Sequence, residues 1–181
     1  MIIHIIIIAL ILIIFTVAYI FLTTYNKYQD YIIKINEVES KIDNSLREKF
    51  DNIIKLNNSI KDKIKTQKQI VDDLSNLKEE SISSFDMDRK LTEALSKVKF
   101  IKEKYTELDG DEDLMKILYD IDDEDESLRA YKKYYNETIT EYNKLIRKIP
   151  YNLIGKIFKY KEKTFFDKKD MSDDNYNDFK L

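Results

Sequence analysis

The first two dozen residues constrain this chain more than any other stretch. From Ile2 to Leu22 there is no Asp, Glu, Lys or Arg, and Ile and Leu dominate. A helix needs about 20 apolar residues, at about 1.5 Å each, to cross a hydrocarbon core. The run meets that length, with Ile2, Ile8, Phe15 and Leu22 marking its extent. Each Ile, Leu, Phe or Val near its centre favours insertion by roughly 0.3–0.6 kcal/mol. Residues 1–24 are therefore expected to be a transmembrane anchor, with the lipid bilayer as partner. A cleaved signal peptide fits less well: no Lys or Arg precedes the run, and Ala18 is followed by Tyr19 and Ile20 rather than by a small-residue cleavage site. The single histidine, His4, lies in the first turn, within reach of the headgroups.

Positive charge near an anchor tends to stay in the cytoplasm. Lys27 and Lys34 follow the run, then Lys41, Arg47 and Lys49, and nothing basic precedes it. The expected arrangement is a single-pass protein of the cell membrane with its polar part in the cytoplasm.

That polar part is expected to be one all-α domain, 25–166, ending in a disordered polar tail, 167–181. Two glycines and one proline in 181 residues leave little to interrupt helices. Charged residues make up 36% of the chain, both signs interleave, and the net charge is −3. A nucleic-acid-binding domain would be strongly basic, so nucleic acid is not an expected partner. With no cysteine, disulfides, thiol catalysis and Cys-based metal sites are excluded. One histidine leaves no Ser-His or Cys-His system. No cofactor, metal site or small-molecule substrate is inferred, and the chain is not expected to be an enzyme.

From Tyr25 onward apolar residues recur every three or four positions: Tyr28, Ile32, Ile35, Ile42, Leu46, Phe50, Ile53, Leu56, Ile60, Ile64, Val71, Leu74 and Leu77. This is the seam of an amphipathic or coiled-coil helix. Unbroken to Glu80 it would be about 85 Å long. A break near Asp62 to Gln67 would give four helices of similar length in place of three. Ser81 to Asp86 reads as a turn, with Ser83 and Asp86 spaced like a capping box. A second helix carries Met87, Leu91, Leu95, Val98, Ile101, Tyr105 and Leu108, and stops at Asp109-Gly110. A third opens on Asp111, Glu112 and Asp113, favourable at the positive end of a helix dipole. Its seam runs from Leu114 through Ile121, Leu128, Tyr135 and Tyr142 to Ile149, and Pro150 ends it. The expected fold is an antiparallel up-and-down bundle of three long helices or four. In the four-helix order Pro150 returns to the membrane-proximal end; in the three-helix order it points away.

After Pro150 comes a short amphipathic segment, 151–160. Leu153, Ile154, Ile157 and Phe158 share one side, with Lys156, Lys159, Lys161 and Lys163 around them. It can fold back as a flap over the end of the core or lie on an anionic membrane surface. Upstream, Asp109 to Glu126 holds ten carboxylates against one base, Lys116. The glycine is misplaced for an EF-hand loop, so a solvated acidic face is the leading reading. The alternative is a sensor or binding module taking a divalent cation or polycation there. Tyr134 lies beside the seam of the third helix and is a candidate interface residue.

Four segments resemble the LemA family. Tyr25-Asn26 follows the anchor. Ile42-Asp43 is followed by Leu46-Arg47 and Phe50-Asp51. Tyr135-Asn136 and Tyr142-Asn143 form a pair of Tyr-Asn motifs seven residues apart. Ile149-Pro150 precedes Leu153-Ile154, Phe158 and Phe165-Phe166. The family's usual proline in the first helix is Ile54 here, and Asn57 stands where an aliphatic residue is usual; Asp125 and Lys132 stand where the family often has a Glu and an Arg. The resemblance implies a bacterial membrane protein with a helical bundle on a short anchor. The family has no established catalytic activity, so no catalytic residue is carried over. Tyr25, Asn26, Asp43, Tyr135, Asn136, Tyr142, Asn143 and Pro150 become candidate motif or interaction residues. Seven residues is two helical turns, which puts the two tyrosines on one face and the two asparagines on the adjoining one. The expected function is a membrane-anchored scaffold or interaction module. Its expected partners are other membrane or cytoplasmic proteins, or further copies of itself.

Overall fold

A long helix free of Gly and Pro dictates the architecture. The computed structural model describes residues 1–64, 82–105 and 108–167. Helix α1 runs unbroken over Ile2–Ile64, through Ile54. Helix α2 is Ser84–Lys104, α3 is Glu112–Arg147 and α4 is Tyr151–Ile157. There is no strand among the described residues, and the fold is an all-α bundle.

Local chemistry sets the helix ends. Ser83 caps α2, its Oγ accepting from the Asp86 backbone N–H at 3.2 Å. Asp111 caps α3, its Oδ1 accepting from the Leu114 N–H at 3.0 Å. Gly110 just before it has φ +78, in the region that favours glycine. Two ends fall short of the seam expected from sequence. Tyr105 leaves the helical region at φ −116, so α2 closes at Lys104 and Leu108 reaches its buried position from a separate turn. Pro150 bars the helical region to the residue before it, so α3 ends at Arg147 and Ile149 is 79% exposed. Helix α4 ends in a Schellman motif. Tyr160 N–H donates to the Gly155 carbonyl, Lys159 N–H donates to that of Lys156, and Lys159 takes φ +57.

By packing, the chain divides into two units. One comprises Val38–Tyr134. Its core takes Ile42, Leu46, Ile53, Leu56 and Ile60 from α1, Leu91, Leu95 and Val98 from α2, and Leu114, Ile121 and Leu128 from α3. Contacts fix the helix directions. Asp43 meets Ser84 and Lys49 meets Thr92, so α1 and α2 are parallel. Lys63 meets Asp111 and Lys49 meets Asp125, so α3 is antiparallel to α1. A three-helix up-and-down order would make α1 and α2 antiparallel, and they are not. Of the break expected near Asp62 to Gln67, residues 62–64 are still helical; the rest of it, with Val71, Leu74 and Leu77, falls in 65–81, outside the described residues.

The other unit comprises residues 1–37 and 135–181, described as far as Asp167. The polar tail from 168 onward falls outside the description. The core of this unit is Tyr28, Ile35, Ile139, Tyr142, Leu145 and Ile154, with Phe21, Tyr31, Tyr135, Tyr151, Tyr160 and Phe165 packed around it. The chain turns at Pro150 and brings α4 back against the Phe21–Tyr28 stretch of α1. The Tyr28 hydroxyl donates to the Tyr151 carbonyl at 3.1 Å. The Phe158 ring lies 6.0 Å from that of Phe21 and 5.1 Å from that of Tyr25. Pro150 thus lies in the unit that carries the apolar run, and the inner half of segment 151–160 is a flap: Ile154 and Gly155 are buried.

Glycine is needed for this close approach. A Cβ on Gly155 would lie 2.9 Å from Tyr28 Oη, and Tyr28 is fully buried and held by its hydrogen bond. We expect Gly155→Ala to destabilise the protein by about 1–3 kcal/mol through overpacking, read as a lower thermal midpoint. Adding Tyr28→Phe should recover part of the loss, because it removes the clashing oxygen.

Candidate functional site

The candidate motif residues divide between the two units. In the unit formed by residues 1–37 and 135–181, the two Tyr-Asn pairs do two jobs. Tyr142 is buried edge-on to Tyr28 with centroids 6.1 Å apart, and Tyr135 packs on the same core. Burial, with Tyr28 and Tyr160 adjacent, pushes the Tyr142 phenol up to about 12. Burial raises the phenols of Tyr28 and Tyr160 as well. These hydroxyls stay neutral near pH 7 and act as packing and hydrogen-bonding groups.

The asparagines hold the segment after α4. Asn143 is fully buried. Its Nδ2 donates to the Lys163 carbonyl at 2.7 Å, and its Oδ1 accepts from the Lys163 N–H at 2.9 Å. One turn pair earlier, Asn136 Oδ1 accepts from the Phe166 N–H at 2.9 Å. A primary amide offers a donor and an acceptor side by side, which is what an extended backbone presents. Spacing places the two asparagines on one face; only the fold shows that this face grips the chain's own C-terminal segment. Arg147 adds a two-point pair to Glu162 at 2.6 and 2.7 Å, which lowers the Glu162 carboxyl and raises the guanidinium. Tyr25 packs on Phe158, Asn26 is exposed, and Pro150 leads into α4.

In the Val38–Tyr134 unit, Asp43 Oδ1 accepts from the Ser84 hydroxyl at 2.6 Å, tying α1 to the start of α2. The feature that sequence reading missed is Lys49. It is 2% exposed and lies 2.6 Å from Asp125 and 3.7 Å from Asp88, with Thr92 Oγ1 at 3.4 Å. Lys132 pairs with Asp88 at 2.7 Å, so Asp125, Lys49, Asp88 and Lys132 form a chain of alternating charge across three helices. Asp125 and Lys132 are its outer members. The register held the signal: Ile42, Leu46, Lys49, Ile53, Leu56 and Ile60 alternate spacings of three and four, so Lys49 occupies a core position of a heptad. Asn57 is likewise buried, and its Oδ1 has no hydrogen-bond partner among the described residues.

The acidic stretch is spread over several lysines instead of gathered around one centre. Asp109 lies by Lys102, Asp111 by Lys63, Asp122 by Lys99 and Asp125 by Lys49. Lys63 holds the Asp111 carboxyl below its usual range. Glu124 is the exception: burial and a hydrogen bond with Glu48 raise its carboxyl. No group of three or more acidic, His or Cys side chains among the described residues is arranged to hold a metal ion. Tyr134 is 47% exposed.

Against this geometry, comparison with protein families matches the LemA family over residues 38–177. The chain belongs to the LemA family. The match contains Asp43, Tyr135, Asn136, Tyr142, Asn143 and Pro150; Tyr25 and Asn26 precede it. A comparison with curated proteins gives no match. In this LemA-family chain, the paired Tyr-Asn motifs build a core and fasten the C-terminal segment to it.

Two substitutions separate the networks. Asn143→Ala leaves the Lys163 backbone groups unpaired and should cost about 1–3 kcal/mol, with faster tryptic cleavage at Lys161 and Lys163. Lys49→Met leaves two carboxylates facing an apolar side chain. A broken buried pair costs 3–5 kcal/mol, and we expect about 3 because Asp88 and Asp125 keep some solvent and Asp88 keeps Lys132. Urea unfolding followed by circular dichroism measures both.

Proposed function

We propose that this LemA-family chain is a single-pass membrane protein. Its bundle lies on the cytoplasmic side and works as a non-catalytic scaffold, holding other membrane or cytoplasmic proteins, or further copies of itself, at the bilayer. One observation carries the reading. The apolar window of α1 has a mean hydropathy of 3.3, and none of it is buried among the described residues. In a water-soluble protein such a helix would be a buried core element. Lipid is the environment that suits it.

The helix that carries the apolar run continues into the bundle without a break. An anchor joined this way confines the bundle to the membrane surface, which raises the effective concentration of any partner held there. Exposed aromatic side chains support an interaction role: Tyr134 is 47% exposed and Tyr119 64%. Rigid aromatic groups of this kind are common interface anchors. The most buried cation, Lys49, is held between Asp125 and Asp88, an arrangement that suits a structural role.

Orientation rests on Lys27 and Lys34 following the anchor. It is tested with a single cysteine at the exposed position Lys133 in an otherwise cysteine-free chain. The protein should stay in the membrane pellet after alkaline carbonate treatment. A membrane-impermeant maleimide should label Lys133→Cys only after lysis. Release by carbonate would defeat the anchor, and labelling of intact cells would place the bundle outside.

A further inference from the structure

We propose that α4 rests on the membrane surface from which α1 emerges, and that its basic rim takes anionic lipid headgroups. This rests on the reading of Ile2–Leu22 as a membrane span.

Position comes first. The uncharged run ends at Leu22, and Phe158 packs on Phe21 and Tyr25, the residues on either side of that end. The C-terminal end of α4 is therefore held within about one helical turn, roughly 5 Å, of where the anchor leaves the hydrocarbon. Stacking of Phe158 on Tyr160, and the tilted contact of Tyr160 with Tyr28 at 4.7 Å, fix it there.

The exposed surface has the matching character. Ile154 and Gly155 face the core, yet Ile149 is 79% exposed, Leu153 58% and Ile157 65%. Leu153 and Ile157, four apart in α4, make an apolar ridge along the outside of the flap, and Ile149 is exposed just before the helix. A ridge of large aliphatic side chains beside a membrane anchor is suited to the acyl boundary rather than to water. Lys148, Lys156 and Lys159 are exposed around it. From Lys148 to Lys161 there is no acidic residue. Lys27 lies 5.4 Å from the centre of the Tyr151 ring, adding an aromatic and a cation at the same level. Apolar ridge, basic rim and interfacial aromatics all fit a leaflet rich in anionic lipid. The inner face of α4 thus closes the core while the outer face sits on lipid.

The test uses the full chain reconstituted in vesicles, with single cysteines carrying an environment-sensitive fluorophore at Ile157, at Ile8 in the anchor, or at the exposed Glu137, about 15 Å along α3 from its end at Arg147. Vesicles are phosphatidylcholine alone or with phosphatidylglycerol, and contain lipids with nitroxides at headgroup or acyl level. The Ile157 reporter should be quenched from the headgroup level, more strongly with phosphatidylglycerol, while Glu137 stays unquenched. Changing Lys148, Lys156 and Lys159 to Gln should shift the ratio of seated to unseated α4 by about fivefold per lysine. If Ile8 is quenched from the acyl level and Ile157 is unquenched in both mixtures, the seat is wrong and the anchor stands. An unquenched Ile8 defeats the anchor and this inference together. Equal quenching of Ile157 in both mixtures removes the anionic headgroup from the proposal. A response at Ile157 that grows with protein density at constant lipid composition overturns it in favour of a second copy of the chain.

Discussion

Two hydrogen bonds from one buried amide hold the unit of residues 1–37 and 135–167 together. Asn143 reads the backbone of Lys163 with donor and acceptor at once, and no charged or aliphatic side chain can do both. Around it the rest follows. With Lys163 held, the chain from Pro150 cannot swing away, so Ile154 and Gly155 stay against Tyr28 and the aromatic ladder of Tyr28, Tyr160 and Phe158 can form. That ladder ends on Phe21 and Tyr25, at the boundary of the apolar run. The polar clasp supplies the geometry, and the aromatic burial supplies most of the favourable free energy.

The Val38–Tyr134 unit solves a different problem. Amphipathic helices with regular seams can slide by a turn or pair in another order at little cost in apolar contact. A charge chain from Asp125 through Lys49 and Asp88 to Lys132 makes most such shifts unfavourable, because each would strand a charge away from water. Its members come from α1, α2 and α3, so it fixes all three helices against one another. We take register, more than stability, to be what this network secures. Asp43 with Ser84 and Lys63 with Asp111 mark the same register along α1.

Much of the fold was legible in the sequence. The apolar N-terminal helix, the helix seams, the Ser83 cap and the turn at Gly110 all follow from local rules that need no tertiary contact. The two helix ends that differ are cases where the seam continues but the helix does not: Tyr105 and Ile149 lie in phase with it, yet one leaves the helical region and the other precedes proline. Lys49 was hidden because its charge argues for exposure, while only its heptad position argues for burial, and the partners that resolve the conflict come from other helices. The clasp was half legible. Spacing put Asn136 and Asn143 on one face, but what that face meets lies twenty and thirty residues further along the chain. Segment 151–160 could be read two ways because its two sides differ, and the structure uses the inner one as a flap.

The central claim is that the segment after α4 is part of the folded core, fastened by the asparagines of the Tyr-Asn pairs. Hydrogen exchange of the full-length protein in lipid nanodiscs tests it most directly. The amide protons of Lys163 and Phe166 should exchange as slowly as those in the middle of α3, since they donate to Asn143 and Asn136. Exchange of both at the rate of an unstructured chain, with α3 still protected, would contradict the account.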